Sequence, residues 1–184
     1  MVGFTECMGE GQKQRTAFPA RPIASADDLL LTPLQRNDAN AMLEVLQDSK
    51  LYDFTGGEPP SADDLHRRYD RQASGVSPDG SQLWLNWIVR VHGVPAGYVQ
   101  ATVAFRDVQL AAELAWVIGM RWQGQGLATR SARLVQAWLH DRGVHRFTAS
   151  IHPTHTASAA VASYLGMRPS DVTTDNGEVI WRMP

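Results

Sequence analysis

Cysteine is nearly missing from this chain: Cys7 stands alone among 184 residues. That excludes an internal disulfide framework and fits a reducing compartment, the cytoplasm. Lysine is almost as scarce, with only Lys13 and Lys50, so arginine carries nearly all the positive charge, and the formal net charge is −2. Such a balance gives no strong pull toward nucleic acid or an anionic membrane surface, and neither partner is expected. No apolar run approaches the ~18 residues of a membrane span. Met1–Ala20 also lacks a secretory core, because Glu6, Glu10, Lys13 and Arg15 break it. Two strong phosphate signatures are absent. There is no Gly-x4-Gly-Lys-Ser/Thr, and Thr129 stands where a full Gly-x-Gly-x-x-Gly would have its third glycine. His152-x-x-His155 has a ligand-like spacing, but with no cysteine nearby no metal site is expected.

What is present describes an ordinary globular domain, 43% hydrophobic and 20% charged. Residues 1–25 mix Gly, Gln, Pro and charges without periodicity and read as a flexible extension. Residues 26–184 read as one domain. "DLLLTPLQ" predicts a first strand. "NDANAMLEVLQDS" predicts a helix capped by Asn37 or Asp38, with Met42, Leu43, Val45 and Leu46 on one face. "FTGGEPP" breaks it. "SADDLHRRYDRQASG" predicts a second helix, from the Ser61 cap to Gly75. Gln82–Gly119 reads as an antiparallel meander with a tight turn at His92–Gly93. A helix follows to about Arg142, with Leu127, Leu134, Val135, Trp138 and Leu139 as its buried stripe. "HRFTASI" is a strand, "TASAAVASYLG" a short helix, and "DNG" at 175–177 turns a final hairpin. The order is β, α, α, β, β, β, α, β, α, β, β: a mixed α/β domain with one central sheet.

"RWQGQGLATRSARLVQAWL" places Gly124 and Gly126 where a helix is about to begin. Glycine in a helix interior costs roughly 0.5–1 kcal/mol against alanine, so its use here needs a reason. A strand running into Gly-x-Gly and then a helix presents free N–H groups at the positive end of the helix dipole. Glycine also lets a phosphate approach the backbone. A tight turn with no ligand is the alternative that this spacing leaves open.

Arg121-x-x-Gly124-x-Gly126, with "IHPTHTASAAVASYLGM" two dozen residues downstream, resembles the GNAT superfamily of N-acetyltransferases. The branch it is most similar to includes the enzymes that acetylate ribosomal-protein N-termini. The resemblance covers about Leu29–Trp181. It implies a mostly antiparallel twisted sheet of about six or seven strands flanked by about four helices. It also implies acetyl-CoA as co-substrate and direct transfer of its acetyl group to a primary amine, a small molecule or a peptide N-terminus, in a ternary complex. The pyrophosphate loop would be Arg121, Gln123, Gly124, Gln125, Gly126, Leu127, Ala128 and Thr129. The backbone of Trp116, Val117 and Ile118 would pair with pantetheine, and the N–H of Val117 or Ile118 would polarise the thioester.

Within that resemblance Glu113 is the candidate general base. It stands in an apolar run, where its carboxylate is expected to be partly desolvated. Ser158 matches a serine of the branch and is the candidate partner of the leaving thiolate. His155 replaces an asparagine that contacts pantetheine in relatives. Ala162 occupies the position of the tyrosine acid of other members, and Tyr164 reads as a packed tyrosine. Phe54, Glu58 and Trp87 are candidate acceptor contacts. The Arg67, Arg68 and Arg71 cluster reads as a solvated face. Monomer and homodimer stay open. A non-catalytic acyl-CoA-binding module on the same fold is the alternative function, and a different phosphate ligand at the Gly-x-Gly turn is a third.

Overall fold

The computed structural model describes residues 21–25, 29–106 and 109–184. Cys7 and most of the expected extension lie outside the described residues. Inside that extension, Ile23–Ala24 forms a short strand, β1, antiparallel to β2 (Leu29–Pro33). Helix α1 (Asp38–Val45) and helix α2 (Ala62–Gln72) follow. The meander is β3 (Leu83–Val91), β4 (Val94–Arg106) and β5 (Gln109–Ile118). Helix α3 (Leu127–His140), β6 (Arg146–Ile151), α4 (Thr156–Tyr164), β7 (Arg168–Thr173) and β8 (Val179–Arg182) complete the chain. The eight strands form one sheet in the order β1-β2-β3-β4-β5-β6-β8-β7, with every pairing antiparallel except β5–β6.

Local chemistry sets the element ends. Ser61 accepts from the Asp64 amide at 3.2 Å, as its place before α2 predicts. At α1 the outcome differs: Asn37 makes no side-chain cap. Asp38 instead accepts from the Gln35 amide at 2.8 Å and from Arg90 Nη2 at 2.5 Å. The Arg90 contact ties α1 to the sheet, a demand that short-range pattern does not reveal. The β3–β4 turn takes φ 49° at His92 and 81° at Gly93, the doubly left-handed geometry that matches strand twist in a two-residue hairpin.

Strand alternation divides the core into two layers. One face of the sheet packs Trp87, Val89, Val99, Leu114 and Phe147 against Leu127, Ala132, Val135 and Leu139 of α3. The other sets Ile88, Tyr98 and Val117 against Met42, Leu46, Leu65 and Tyr69 of α1, α2 and their flank. Of the expected α3 stripe, Leu134 and Trp138 are only partly buried, while Ser131 is fully buried. Its hydroxyl donates to the Leu127 carbonyl at 2.6 Å, so the buried Ser131 oxygen is paired.

Candidate active site

The sheet opens at β5–β6. These strands pair only at Ala111–Glu113 with Arg146–Thr148. Beyond that, β6 pairs with β8 while β5 continues beside β4. The Gly119 amide donates to the Ala96 carbonyl at 2.9 Å, and the β4–β5 register is unbroken from Gly97↔Ile118 to Arg106↔Gln109. By alternation, the amide of Val117 therefore points to β4, and those of Trp116 and Ile118, beyond the last β5–β6 rung, point into the gap. The Ile118 carbonyl accepts from Gln123 Nε2 at 3.0 Å, which ties the following turn to the strand. Gly97 permits the close approach on the β4 side. A Cβ there would lie 2.1 Å from the Val117 carbonyl oxygen.

At the foot of the gap the chain turns through Met120–Trp122 into α3. Gly124 and Gly126 have φ of 74° and 69°, the left-handed region that glycine adopts freely, and a Cβ on either would meet nothing within 4 Å. Open space thus lies over both glycines. Gly126 is the N-cap of α3, with no side-chain cap and no acidic residue in the first turn. The leading amides therefore present uncompensated partial positive charge.

Gap and turn belong to one cleft of about 790 Å³. Trp116, Val117, Ile118, Gln123, Gly124, Gly126, Leu127, Ala128 and Thr129 line it, and so do Glu113, His155, Ser158 and Phe54. Phe54 and His155 stack with ring centroids 4.1 Å apart at 15°, joining the segment after α1 to the start of α4. Burial, reinforced by the neighbouring His152 charge, lowers the His155 pKa.

Several expected residues sit elsewhere. Trp87 is 2% exposed and packs edge-on against Trp138 at 5.4 Å, on the α3 side of the sheet. Glu58 is exposed outside the cleft, because the glycine turn at Gly56–Gly57 carries the chain away from it. Arg121 and Gln125 flank the glycines but do not line the cleft; the Arg121 guanidinium lies 4.8 Å over the Trp122 ring. Glu113 is exposed rather than desolvated, since it projects from the sheet face opposite the buried Ala112 and Leu114, where no helix covers it. Tyr164 is 75% exposed at the cleft rim, not packed. Arg67, exposed and paired with Asp64 at 2.5 Å, fits a solvated face.

Pattern reading missed Gln100 and Thr102 on β4, Ser150 on β6, Asp53, and Glu178 before β8, all of which line the cleft. The alternation of "RFTASI" marks Thr148 and Ser150 as one polar face. Only the register shows that this face meets Glu113. No group of three or more His, Cys, Asp or Glu able to hold a metal ion occurs among the described residues.

A sheet parted beside a glycine-turned helix start, with free strand amides along one wall, suits a ligand that joins a phosphate to an extended, hydrogen-bonding arm. Residues 28–168 match the model of the acetyltransferase (GNAT) domain. An aminoglycoside acetyltransferase AAC(6')-Ib bound to coenzyme A superposes with a TM-score of 0.69 at 20% identity, over 84% of this chain and 92% of the other. The ribosomal L7/L12 α-N-protein acetyltransferase RimL gives 0.72 at 15% identity, over 90% and 94%. A GNAT-family acetyltransferase from Bacillus anthracis gives 0.69 at 18%, over 86% and 96%. At these identities the structural likeness establishes the fold, and no curated protein matches in sequence. The chain belongs to the GNAT acetyltransferase family. By that membership it is an acetyltransferase.

Proposed function

We propose that this cleft acetylates a primary amine on a small molecule or a peptide N-terminus, with Glu113 as general base. The observation that supports it best is the parted β5 edge, whose Trp116 and Ile118 amides run toward the open first turn of α3. Acetyl-CoA supplies the activated acetyl thioester. Backbone amides of Gln123 to Thr129 hold its pyrophosphate, and the open space over Gly124 and Gly126 fits that group. The β5 edge pairs with the pantetheine arm. Of the two amides considered for polarising the thioester carbonyl, that of Val117 is turned to β4, which leaves Ile118. Ser158, half-buried in the first turn of α4, donates to the departing thiolate. His155 takes the asparagine's place beside pantetheine, with its ring held by Phe54. Arg121, outside the cleft lining, adds positive charge near the loop.

The acceptor arrives as an ammonium ion, and Asp53, Glu113 and Glu178 all line the cleft. Both acceptor types remain compatible, since the similar folds include an aminoglycoside and a ribosomal-protein acetyltransferase. The single Cys7 fits work in the cytoplasm; no helix among the described residues is long and apolar enough to cross a membrane.

The test is release of free thiol from acetyl-CoA against a panel of primary amines, in wild type and Glu113→Gln. Positioned bases contribute about 10²–10⁴-fold, so Glu113→Gln should lose that much kcat at pH 7 with acetyl-CoA binding intact. Raising the pH should partly rescue it, because more of the acceptor is then already neutral. Tight acetyl-CoA binding with no thiol release for any amine would instead indicate the non-catalytic module.

A further inference from the structure

The proposed base has an unusual setting: an exposed glutamate on a strand, with no helix over it and no cation paired to it among the described residues. Such a side chain samples several rotamers, and a base must be held within hydrogen-bond reach of the proton it takes. The structure supplies one restraint. Ser150 Oγ donates to Glu113 Oε1 at 2.8 Å, and Ser150 is the only hydrogen-bond partner of that carboxylate among the described residues.

The placement of this bond gives it meaning. Glu113↔Thr148 is the last β5–β6 pair before the strands part. Thr148 and Ser150 point to the same face as Glu113, while Phe147, Ala149 and Ile151 are buried on the other. Ser150 therefore reaches across the opening from two residues beyond the last rung, the next position on that face. Both residues line the cleft. One carboxylate oxygen is occupied by the serine hydroxyl, and the other is left to face the amine.

We infer that Ser150 is the positioning residue of this acetyltransferase: its hydroxyl, reaching across the mouth of the split sheet, aims the Glu113 carboxylate at the acceptor. The inference rests on Glu113 being the base. Ser150 touches neither co-substrate nor acceptor in this role and acts only through Glu113.

The test is a double-mutant cycle in the full chain, with thiol release as the assay and the best amine of the panel as acceptor. A hydrogen bond to a charged group is worth on the order of a 10-fold change in rate, so Ser150→Ala should lower kcat about that much. KM for acetyl-CoA and the melting temperature should stay near wild type. Ser150→Thr keeps the hydroxyl and should restore most of kcat. In a Glu113→Gln background, Ser150→Ala should have little further effect, because the group it positions no longer takes the proton. Wild-type kcat in Ser150→Ala, or an equal loss in both backgrounds, would overturn the inference while leaving Glu113 as base. If Glu113→Gln alone keeps wild-type kcat, the base assignment fails, and the inference falls with it.

Discussion

His155 stands where the resemblance implies an asparagine, and its neighbours determine what the ring can do. Phe54 stacks on the His155 ring and lies 5.8 Å from the centroid of the His152 ring, so it holds both histidines at the start of α4. Burial first, and then the His152 charge, lower the His155 pKa. The unfolded chain therefore binds the proton before the folded one does. Above the ordinary histidine value of about 6.5 His155 contributes no pH dependence; below it, stability falls until the folded pKa is also passed. Melting of wild type and His155→Asn between pH 7.5 and 5 checks this. The wild type should lose more stability on acidification than the variant, and parallel curves would contradict the assignment. At this scale the sequence was legible where residue type alone mattered, as for the Ser61 cap. It was not legible for Glu113, whose apolar neighbours in sequence lie on the opposite face of its strand.

At the scale of elements, periodicity placed the meander, the α3 helix and the final hairpin, because each is set by short-range alternation and turn chemistry. The parting of β5 from β6 is different. It depends on which strand pairs with which over a long separation in sequence. The turn into α3 carries a prediction of its own. Gly126 sits at φ 69°, where a non-glycine residue costs about 1–2 kcal/mol and a β-branched one is a conformational outlier. Its missing Cβ also leaves the space assigned to the pyrophosphate. Gly126→Val should lower stability by about that amount and weaken acetyl-CoA at least ~10-fold, equivalent to ~1.4 kcal/mol. Titration calorimetry on the folded variant reads this directly, and wild-type affinity would remove the loop from phosphate binding.

Across the whole molecule, the mixed α/β sheet was expected with about six or seven strands, and the eighth, Ile23–Ala24, lies in a segment without periodicity, too short to announce itself. The cleft wall away from the glycine turn was the least legible, because it is assembled from the segment after α1, from β4, from β6 and from the turn before β8. Of the two aromatic candidates, Phe54 lines the cleft and Trp87 serves the core. The central claim is that one cleft holds acetyl-CoA between a free strand edge and a helix start. Backbone hydrogen exchange, with and without saturating acetyl-CoA, tests it most directly. Acetyl-CoA should slow exchange at Trp116 and Ile118 and across Gln123–Thr129, with β2 and the β7–β8 hairpin unchanged and no such protection from ATP. Saturating acetyl-CoA that leaves exchange at both the β5 edge and the α3 turn unaltered would contradict it.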